Sequence, residues 1–308
     1  MMNTKYFSNS IRAAAIAAAA VILTSCTGSG NQQTAGFEDI PDSLQSAPLT
    51  LSENVVNDMI QNISSPVEMA NQIKNSGAGF DQSVLNDAEK IKDYSTSFKR
   101  ALNLGAYSAD LGYINTFNKN SVVVSYLLAV KDLADGINVG QFLDFNTLSR
   151  LAKNSTNLDS LKLLSVSSFN EIDRYLREQK RSNVSTAIVA GAWIEGIYIT
   201  CRVIEQTHDA ELINRLAEQK DIASILLIIL NNYSKGDANF QALVSKLDEI
   251  KTIYDNVKIT TEFGTPETKE VDGMLIIEQN EITHVDITEE QVNQIIEKIK
   301  ATRQFIVE

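Results

Sequence analysis

The sequence predicts a mainly α-helical protein: a multi-helix bundle that ends in a small β-hairpin or three-stranded sheet plus one helix. Three observations predict this fold class. Helix-start signals recur along the chain, apolar residues return at spacings of three and four, and a period-two alternation appears only after Tyr254. The 308 residues are 44% hydrophobic and 21% charged with only 4 Pro, which excludes wholesale disorder and collagen-like repeats.

The helix starts are explicit. Residues 50–53, 65–68 and 168–171 each have the capping-box pattern, and the second places Pro66 at the first helical position. The apolar spacing that follows these and similar signals predicts helices over residues 51–63, 66–76, 82–93, 96–118, 121–135, 141–153, 159–180, 184–206, 209–219, 221–233 and 238–254.

Two segments, residues 102–117 and 184–204, are apolar nearly all round. The second is long enough to resemble a membrane span, but it contains Glu195 and Arg202, which favours a buried central helix. The two segments also align with each other at a shift of 85, and the shift falls to 83 and then 82 further along the chain. Two explanations stay open: two diverged copies of a four-helix unit, or coincidence between two helices rich in Ala and Gly.

The pattern after Tyr254 is that of strands. Residues 257–263 alternate apolar and polar, residues 274–278 and 282–286 form two further short β runs, and residues 279–281 are predicted as the turn between them. A capping box at residues 288–291 then opens the last helix.

The N-terminus has the pattern of an export signal. An apolar run over residues 13–23 follows Lys5 and Arg12, and eleven residues are too few to span a bilayer as a helix. The next residues, Leu23-Thr24-Ser25-Cys26, resemble the lipobox of bacterial lipoproteins. That resemblance implies that Cys26 becomes diacylglyceryl-modified, that the signal is cut before it, and that the new amino terminus is acylated as well.

The chain is therefore expected to have four parts: a cleaved signal peptide (1–25), a flexible tether from lipidated Cys26 (26–48), a helical domain (49–256) and a small C-terminal β plus helix appendage (257–308). Removal of the signal takes away two basic side chains and changes the net charge from -12 to -14. An acidic body is repelled by phosphates and by anionic headgroups, so attachment is expected through lipid and no nucleic-acid partner is predicted.

Two features near Cys26 bear on location. No acidic cluster follows it, such as surface-exported lipoproteins of some Gram-negative bacteria carry, and Thr27 stands where inner-membrane lipoproteins have a retention aspartate. By resemblance, the body is expected in the periplasm, on the inner leaflet of the outer membrane.

The residue types that catalytic motifs need are sparse. The sequence has no G-x-S-x-G, Walker A, H-E-x-x-H or C-x-x-C pattern, and His208 and His284 are not at a ligand spacing. No metal and no cofactor is predicted. Cys201, the only thiol left once Cys26 is lipidated, lies in an apolar run and is expected to be a buried small hydrophobe.

The sharpest candidate site is a repeated acid-x-x-Tyr pattern, Asp110 with Tyr113 and Glu195 with Tyr198, in the two most apolar helices. A carboxylate there must be paired, protonated or facing a polar cavity. The favoured interpretation is an internal ion pair or hydrogen bond, for which the sequence offers three donors: Arg202, Arg100 and Arg174. The alternative is a pocket that holds a small polar or cationic ligand, with the acids at its base and walls made by Trp193, Tyr198 and Tyr113.

These observations lead to two function hypotheses. The first is a membrane-anchored periplasmic lipoprotein that acts as a non-catalytic binding or assembly module and presents helical surfaces to an envelope protein partner. The second is an envelope hydrolase or transferase that uses Asp110 and Glu195 as a carboxylate pair. The first is favoured because catalytic groups lie on loops and element ends more often than in the middle of helices.

Overall fold

The computed structural model describes residues 66–152, 158–264, 267–271, 274–278 and 281–308, together with Val55 and Met59. The lipobox, the tether and most of the first predicted helix, 51–63, lie outside the described residues.

The described chain is mainly helical with a small antiparallel β element, as the sequence predicts. In chain order its elements are α1 (Pro66–Asn75), α2 (Ser97–Thr116), α3 (Asn120–Gly136), α4 (Phe145–Ala152), α5 (Leu158–Glu178), α6 (Ser182–Thr207), α7 (Ala210–Ser234), α8 (Ala238–Tyr254), β1 (Lys258–Phe263), β2 (Glu267–Val271), β3 (Met274–Glu278), β4 (Glu281–Asp286) and α9 (Glu289–Val307).

Helices α2 and α6 form the centre of the core. Both are buried along most of their length, and they cross so closely that neither crossing point has room for a side chain. A Cβ atom on Gly105 would lie 1.9 Å from the carbonyl oxygen of Ile188, and one on Gly191 would lie 1.8 Å from that of Leu102. Glycine at these two positions therefore sets the distance between the central helices.

One predicted helix, 82–93, is wrong. The chain forms only two 3₁₀ turns there, Gln82–Val84 and Lys90–Asp93. Two aspartates explain the difference, because each side chain accepts a hydrogen bond from a backbone N–H two residues on: Asp81 from Ser83 at 2.8 Å and Asp87 from Glu89 at 3.0 Å. Such local bonds compete with the helical ladder.

Two other boundaries also differ from the predictions. The predicted helices 209–219 and 221–233 are one helix, α7, since no Gly or Pro interrupts it. The helix predicted over 141–153 starts later, at Phe145, where the Asp144 side chain accepts a hydrogen bond from the Thr147 backbone N–H at 3.1 Å.

The predicted similarity between the two halves of the helical domain is clear only for the two central helices. Helices α2 and α6 begin 85 residues apart, at Ser97 and Ser182, which is the shift seen in the sequence. The next helices begin 90 residues apart, at Asn120 and Ala210, so the described structure does not keep one shift across a four-helix unit.

The β element pairs differently from the prediction. Strand β1 pairs with β4 and β2 pairs with β3, so no three-stranded sheet forms in the described residues and the predicted turn at 279–281 does not join paired strands. Val271 pairs with Met274, which leaves Asp272-Gly273 between them, a dipeptide typical of two-residue hairpin loops. Strand β2 was not predicted because Glu267–Val271 has only one apolar residue and no alternation.

Helix α9, which lies in the predicted appendage 257–308, packs against the helical core. Its capping box, Thr288 with Gln291, is present as the sequence predicts. Its last turn is held by two hydrogen bonds: the Tyr94 hydroxyl donates to the Val307 carbonyl at 3.2 Å and the Asn103 amide donates to the Ile306 carbonyl at 2.7 Å. Residues Leu49–Glu308 form one compact unit.

Candidate functional site

The crossing of α2 and α6 brings Asp110 and Glu195 together. Both side chains are 0% exposed, and the two carboxyl groups are close enough for the charge of Glu195 to act on Asp110. Each acid lies between one and one and a half helical turns beyond the glycine of its own helix, Gly105 or Gly191, and the missing side chains of these glycines allow the two helices to approach. The sequence pattern had singled out both acids, and the tertiary structure places them in one cluster.

Glu195 is paired with an arginine from the far end of the chain. Arg303 on α9 donates from Nε to Glu195 Oε2 at 3.1 Å and from Nη2 to Oε1 at 3.3 Å. This is a two-pronged carboxylate contact, in which the planar guanidinium matches both oxygens. The Arg303 guanidinium also lies over the Tyr198 ring, with 4.5 Å between Cζ and the ring centroid.

Asp110 is held by the loop that the sequence predicted as a helix. Its Oδ2 accepts from the backbone N–H of Asn86 at 3.2 Å and from the Asn86 side-chain amide at 2.8 Å. The Asn86 side-chain oxygen accepts in turn from Arg303 Nη2 at 2.6 Å, and its carbonyl accepts from the Tyr126 hydroxyl at 2.5 Å. Asn86 therefore connects Asp110 to the arginine.

Asp110 Oδ1 has no N–H or hydroxyl donor within hydrogen-bonding distance. The neighbouring Glu195 carboxyl group can satisfy that oxygen only if a proton lies between the two acids. Burial, and then the negative charge of Glu195, raise the pKa of Asp110 well above its ordinary range. Burial also raises the pKa of Glu195, while the charge of Arg303 opposes that rise.

The charges in the cluster balance if one proton is retained. A protonated Asp110, an ionised Glu195 and the Arg303 guanidinium sum to zero, whereas two ionised acids would leave a net negative charge in the core. Three buried tyrosines surround the cluster, Tyr94, Tyr107 and Tyr126, and burial raises the pKa of each, so they contribute no charge near neutral pH.

The structure does not assemble the predicted pocket. Trp193 is two residues from Glu195 and therefore points to the opposite side of α6, where its Nε1 donates to Gln219 at 3.1 Å. Tyr113 stacks on Phe80, with ring centroids 5.2 Å apart. Of the three predicted wall residues, only Tyr198 contacts the cluster, through Arg303.

The predicted donors for the acids are also wrong. Arg202 donates to Glu205 at 3.0 Å, Arg100 donates to the Tyr94 carbonyl at 2.7 Å, and Arg174 is exposed. The true donor, Arg303, is 108 residues from Glu195, and the sequence contains no local signal that links them.

The cluster is nearly closed to solvent. Arg303 is the one charged member that reaches the surface, with 14% of its side chain exposed. A shallow groove with an acidic rim, between α8 and α9, lies elsewhere and is lined by Glu289, Glu290 and Glu297. The cluster connects α2, α6, α9 and the loop at Asn86. Among the described residues, no open cavity exposes the two acids to a substrate.

Other candidate groups lie outside this cluster. Cys201 is buried, and burial raises the pKa of its thiol, which disfavours the reactive thiolate. His208 adopts a left-handed conformation, with φ of 51°, at the end of α6. Among the described residues, no three His, Cys, Asp or Glu side chains are grouped to hold a metal ion.

Comparison of the chain with protein-family models, with curated proteins and with solved structures finds no match.

The raised pKa of Asp110 predicts that its contribution to stability depends on pH. A raised pKa in the folded state means that Asp110 stabilises the fold fully below its ordinary pKa and that this contribution is lost as the pH rises. Asparagine is neutral at every pH, so the free energy of unfolding of Asp110→Asn minus that of the parent is expected to increase as the pH rises above about 4. Denaturant unfolding at several pH values measures this difference.

An exposed carboxylate provides the control. Lys298 lowers the pKa of Glu249, so the stability that Glu249 contributes is present at higher pH and is lost on acidification. The corresponding difference for Glu249→Gln should therefore change in the opposite direction or stay flat. A difference for Asp110→Asn that is constant or falls with pH would show that Asp110 is ionised in the fold.

Proposed function

We propose that this protein is a lipid-anchored lipoprotein of the cell envelope that acts as a non-catalytic binding or assembly module. The anchor is argued from the Leu23–Cys26 lipobox and the short apolar run before it. The absence of an acidic cluster after Cys26, together with Thr27, favours the periplasmic face of the outer membrane.

The proposal that the protein is not a catalyst rests on one observation: its own Arg303 covers the buried acids. Both acids are fully buried, and their hydrogen-bond partners are protein groups from two other segments, the loop at Asn86 and helix α9. A catalytic carboxylate pair needs room for the reacting bond. Here Arg303 and Asn86 occupy the hydrogen-bonding positions of the two acids, and no open cavity among the described residues reaches them. The geometry therefore favours a structural role over the hydrolase or transferase alternative.

The apolar helix α6 does not argue for a second mode of membrane attachment. It is long and apolar enough to cross a bilayer, but 83% of its most apolar stretch is buried inside the protein. In the proposal, attachment depends on the lipid at Cys26 alone, since several acyl chains at one terminus are sufficient for stable anchoring.

The anchor is tested by Cys26→Ala in cells that express the full chain. The expected result is loss of radiolabelled fatty-acid incorporation and accumulation of an uncleaved or soluble precursor. Cys201→Ala is the matched control, because it removes the other cysteine, which is buried, and should leave labelling and processing unchanged. If the Cys26→Ala protein is still labelled and sediments with membranes as the parent does, the lipoprotein proposal is wrong.

Density-gradient separation of the two membranes tests the location in the same experiment. The parent is expected in the outer-membrane fraction. Its recovery with the inner membrane would refute the outer-membrane assignment and leave the lipid anchor standing.

A further inference from the structure

The helical body has a second apolar cluster, separate from the main core. Its centre is Val189 on α6 and Ile229 on α7, which are 8% and 0% exposed. Phe169 on α5 and two further residues of α7, Ile225 and Tyr233, pack against it. Residues 225, 229 and 233 are four positions apart and therefore form one stripe along α7, called the α7 stripe below.

Helix α7 contacts the main core through a different side. Leu226 and Leu230 belong to that core, and both are 0% exposed. The stretch that contributes to both sides, residues 222–230, reads IASILLIIL and has Ser224 as its one polar residue. A helix that is apolar nearly all round is typical of one that is buried on more than one side. The α7 stripe is therefore expected to have a cover of its own.

Met59 lies on the α7 stripe. Among the described residues, it is the one apolar side chain from outside α5, α6 and α7 that packs against the second cluster. Met59 and Val55, which is one helical turn earlier, both have helical backbone, and both lie within the compact unit that starts at Leu49. The contact of Met59 therefore identifies the part of the chain that covers the stripe.

The path of the chain permits this contact. Met69 on α1 lies against Gly196 of α6, and α1 packs along α6. Val189 is seven residues before Gly196 on the same helix, which is about 10 Å. Six residues separate Met59 from Pro66, the start of α1, and a segment of that length can span about 20 Å when extended. Met59 can therefore reach the second cluster while α1 stays in its place.

We propose that the predicted first helix, residues 51–63, docks on the α7 stripe of its own chain with Met59 at the contact. The tether from Cys26 then ends near residue 50 and joins the body beside α7. The α7 stripe is covered by the chain itself, so it is not part of the surface that the protein presents to an envelope partner.

Two features favour the chain's own segment over a separate molecule. Met59 is connected to α1 by a short link, so its effective concentration at the stripe is high and little additional entropy is lost on docking. Methionine is also unbranched and flexible, which suits it to fill the irregular gap between side chains from three helices.

A protease that cleaves after glutamate tests the docking on the full chain. Glu38 lies in the predicted tether and Glu53 lies in the proposed helix. Cleavage after Glu53 is expected to be slower than cleavage after Glu38 by about tenfold or more, because a docked segment is cut only when it opens. Mass spectrometry of the fragments over time measures both rates.

Met59→Asp should remove this protection, because docking would then bury an unpaired charge. Ile225→Asp should do the same from the other side of the contact. Ile228→Asp is the matched control, since Ile228 is on the same helix but is 48% exposed and lies outside the second cluster. It should leave Glu53 protected. Circular dichroism equal to that of the parent shows that the body of each variant is folded.

Three results would overturn the proposal. The first is equal cleavage after Glu38 and Glu53 in the parent. The second is protection of Glu53 that survives both Met59→Asp and Ile225→Asp, because the segment would then be shielded elsewhere. The third is protection that is lost on dilution, which would assign the α7 stripe to a second copy. None of these results bears on the lipid at Cys26, which the labelling experiment tests separately.

Discussion

Replacing Arg303 with methionine is expected to lower the free energy of unfolding by about 3–5 kcal/mol, since removing one partner of a buried ion pair leaves an uncompensated charge in the core. Arg303 supplies both donors to Glu195 and also holds Asn86. Methionine retains much of the side-chain volume and removes the charge, so the loss reports on the ion pair. Denaturant unfolding followed by circular dichroism measures it.

The loss in Arg303→Met can be compared with the losses in variants of the two acids. Glu195→Gln should cost on the order of 1–3 kcal/mol, because it weakens the hydrogen bonds to a charged guanidinium. Asp110→Asn should cost less, because asparagine offers a donor to Glu195 and an acceptor to Asn86, as a protonated Asp110 does. Equal losses in both acid variants would contradict the assignment of the proton to Asp110.

The double variant Glu195→Gln with Arg303→Met separates the charge effect from packing. Removing both charges together should restore part of the stability lost in Arg303→Met alone, since no ionised group then remains unpaired. Losses that simply add would show that Arg303 acts through packing. If either acid variant is stable yet loses binding of a ligand or partner, the cluster has a functional role that the closed geometry does not favour.

A second large loss of stability is expected from substitutions where α2 and α6 cross. Gly105→Ala and Gly191→Ala each place a Cβ atom within 2 Å of a backbone carbonyl oxygen, which cannot rotate out of the way. Helix propensity alone would favour alanine by about 1 kcal/mol. We nevertheless expect each variant to lose about 3 kcal/mol or more, because the central helices must move apart. Thermal and denaturant unfolding measure this loss.

Gly79→Ala is the control for the crossing. No heavy atom lies within 4 Å of the position that its Cβ would take, and its φ is not in the left-handed region. Alanine there should be neutral or slightly stabilising, since it reduces the freedom of the unfolded chain. Wild-type stability in Gly105→Ala would contradict the close packing of α2 and α6.

Helix positions could be predicted from the sequence where a local cap and an apolar period agree. Helix α8 matches its predicted range, residues 238–254, and begins where the Asp237 side chain accepts a hydrogen bond from the Asn239 backbone N–H. The loop at Asn86 has local signals in Asp81 and Asp87, but its contact with Asp110, a residue 24 positions away, could not be predicted. Strand β2 was missed because its pairing with β3 is the only feature that identifies it.

The sequence by itself determined the helical fold class, the two central helices and the importance of Asp110 and Glu195, since periodicity and an acid in an apolar helix are local properties. The tertiary structure alone decided what these acids do. It placed Trp193 on the opposite side of α6, brought in Arg303 from the last helix, and connected both acids through Asn86. The physical reason is that a buried carboxylate must find a partner, and the fold can supply that partner from any distance along the chain.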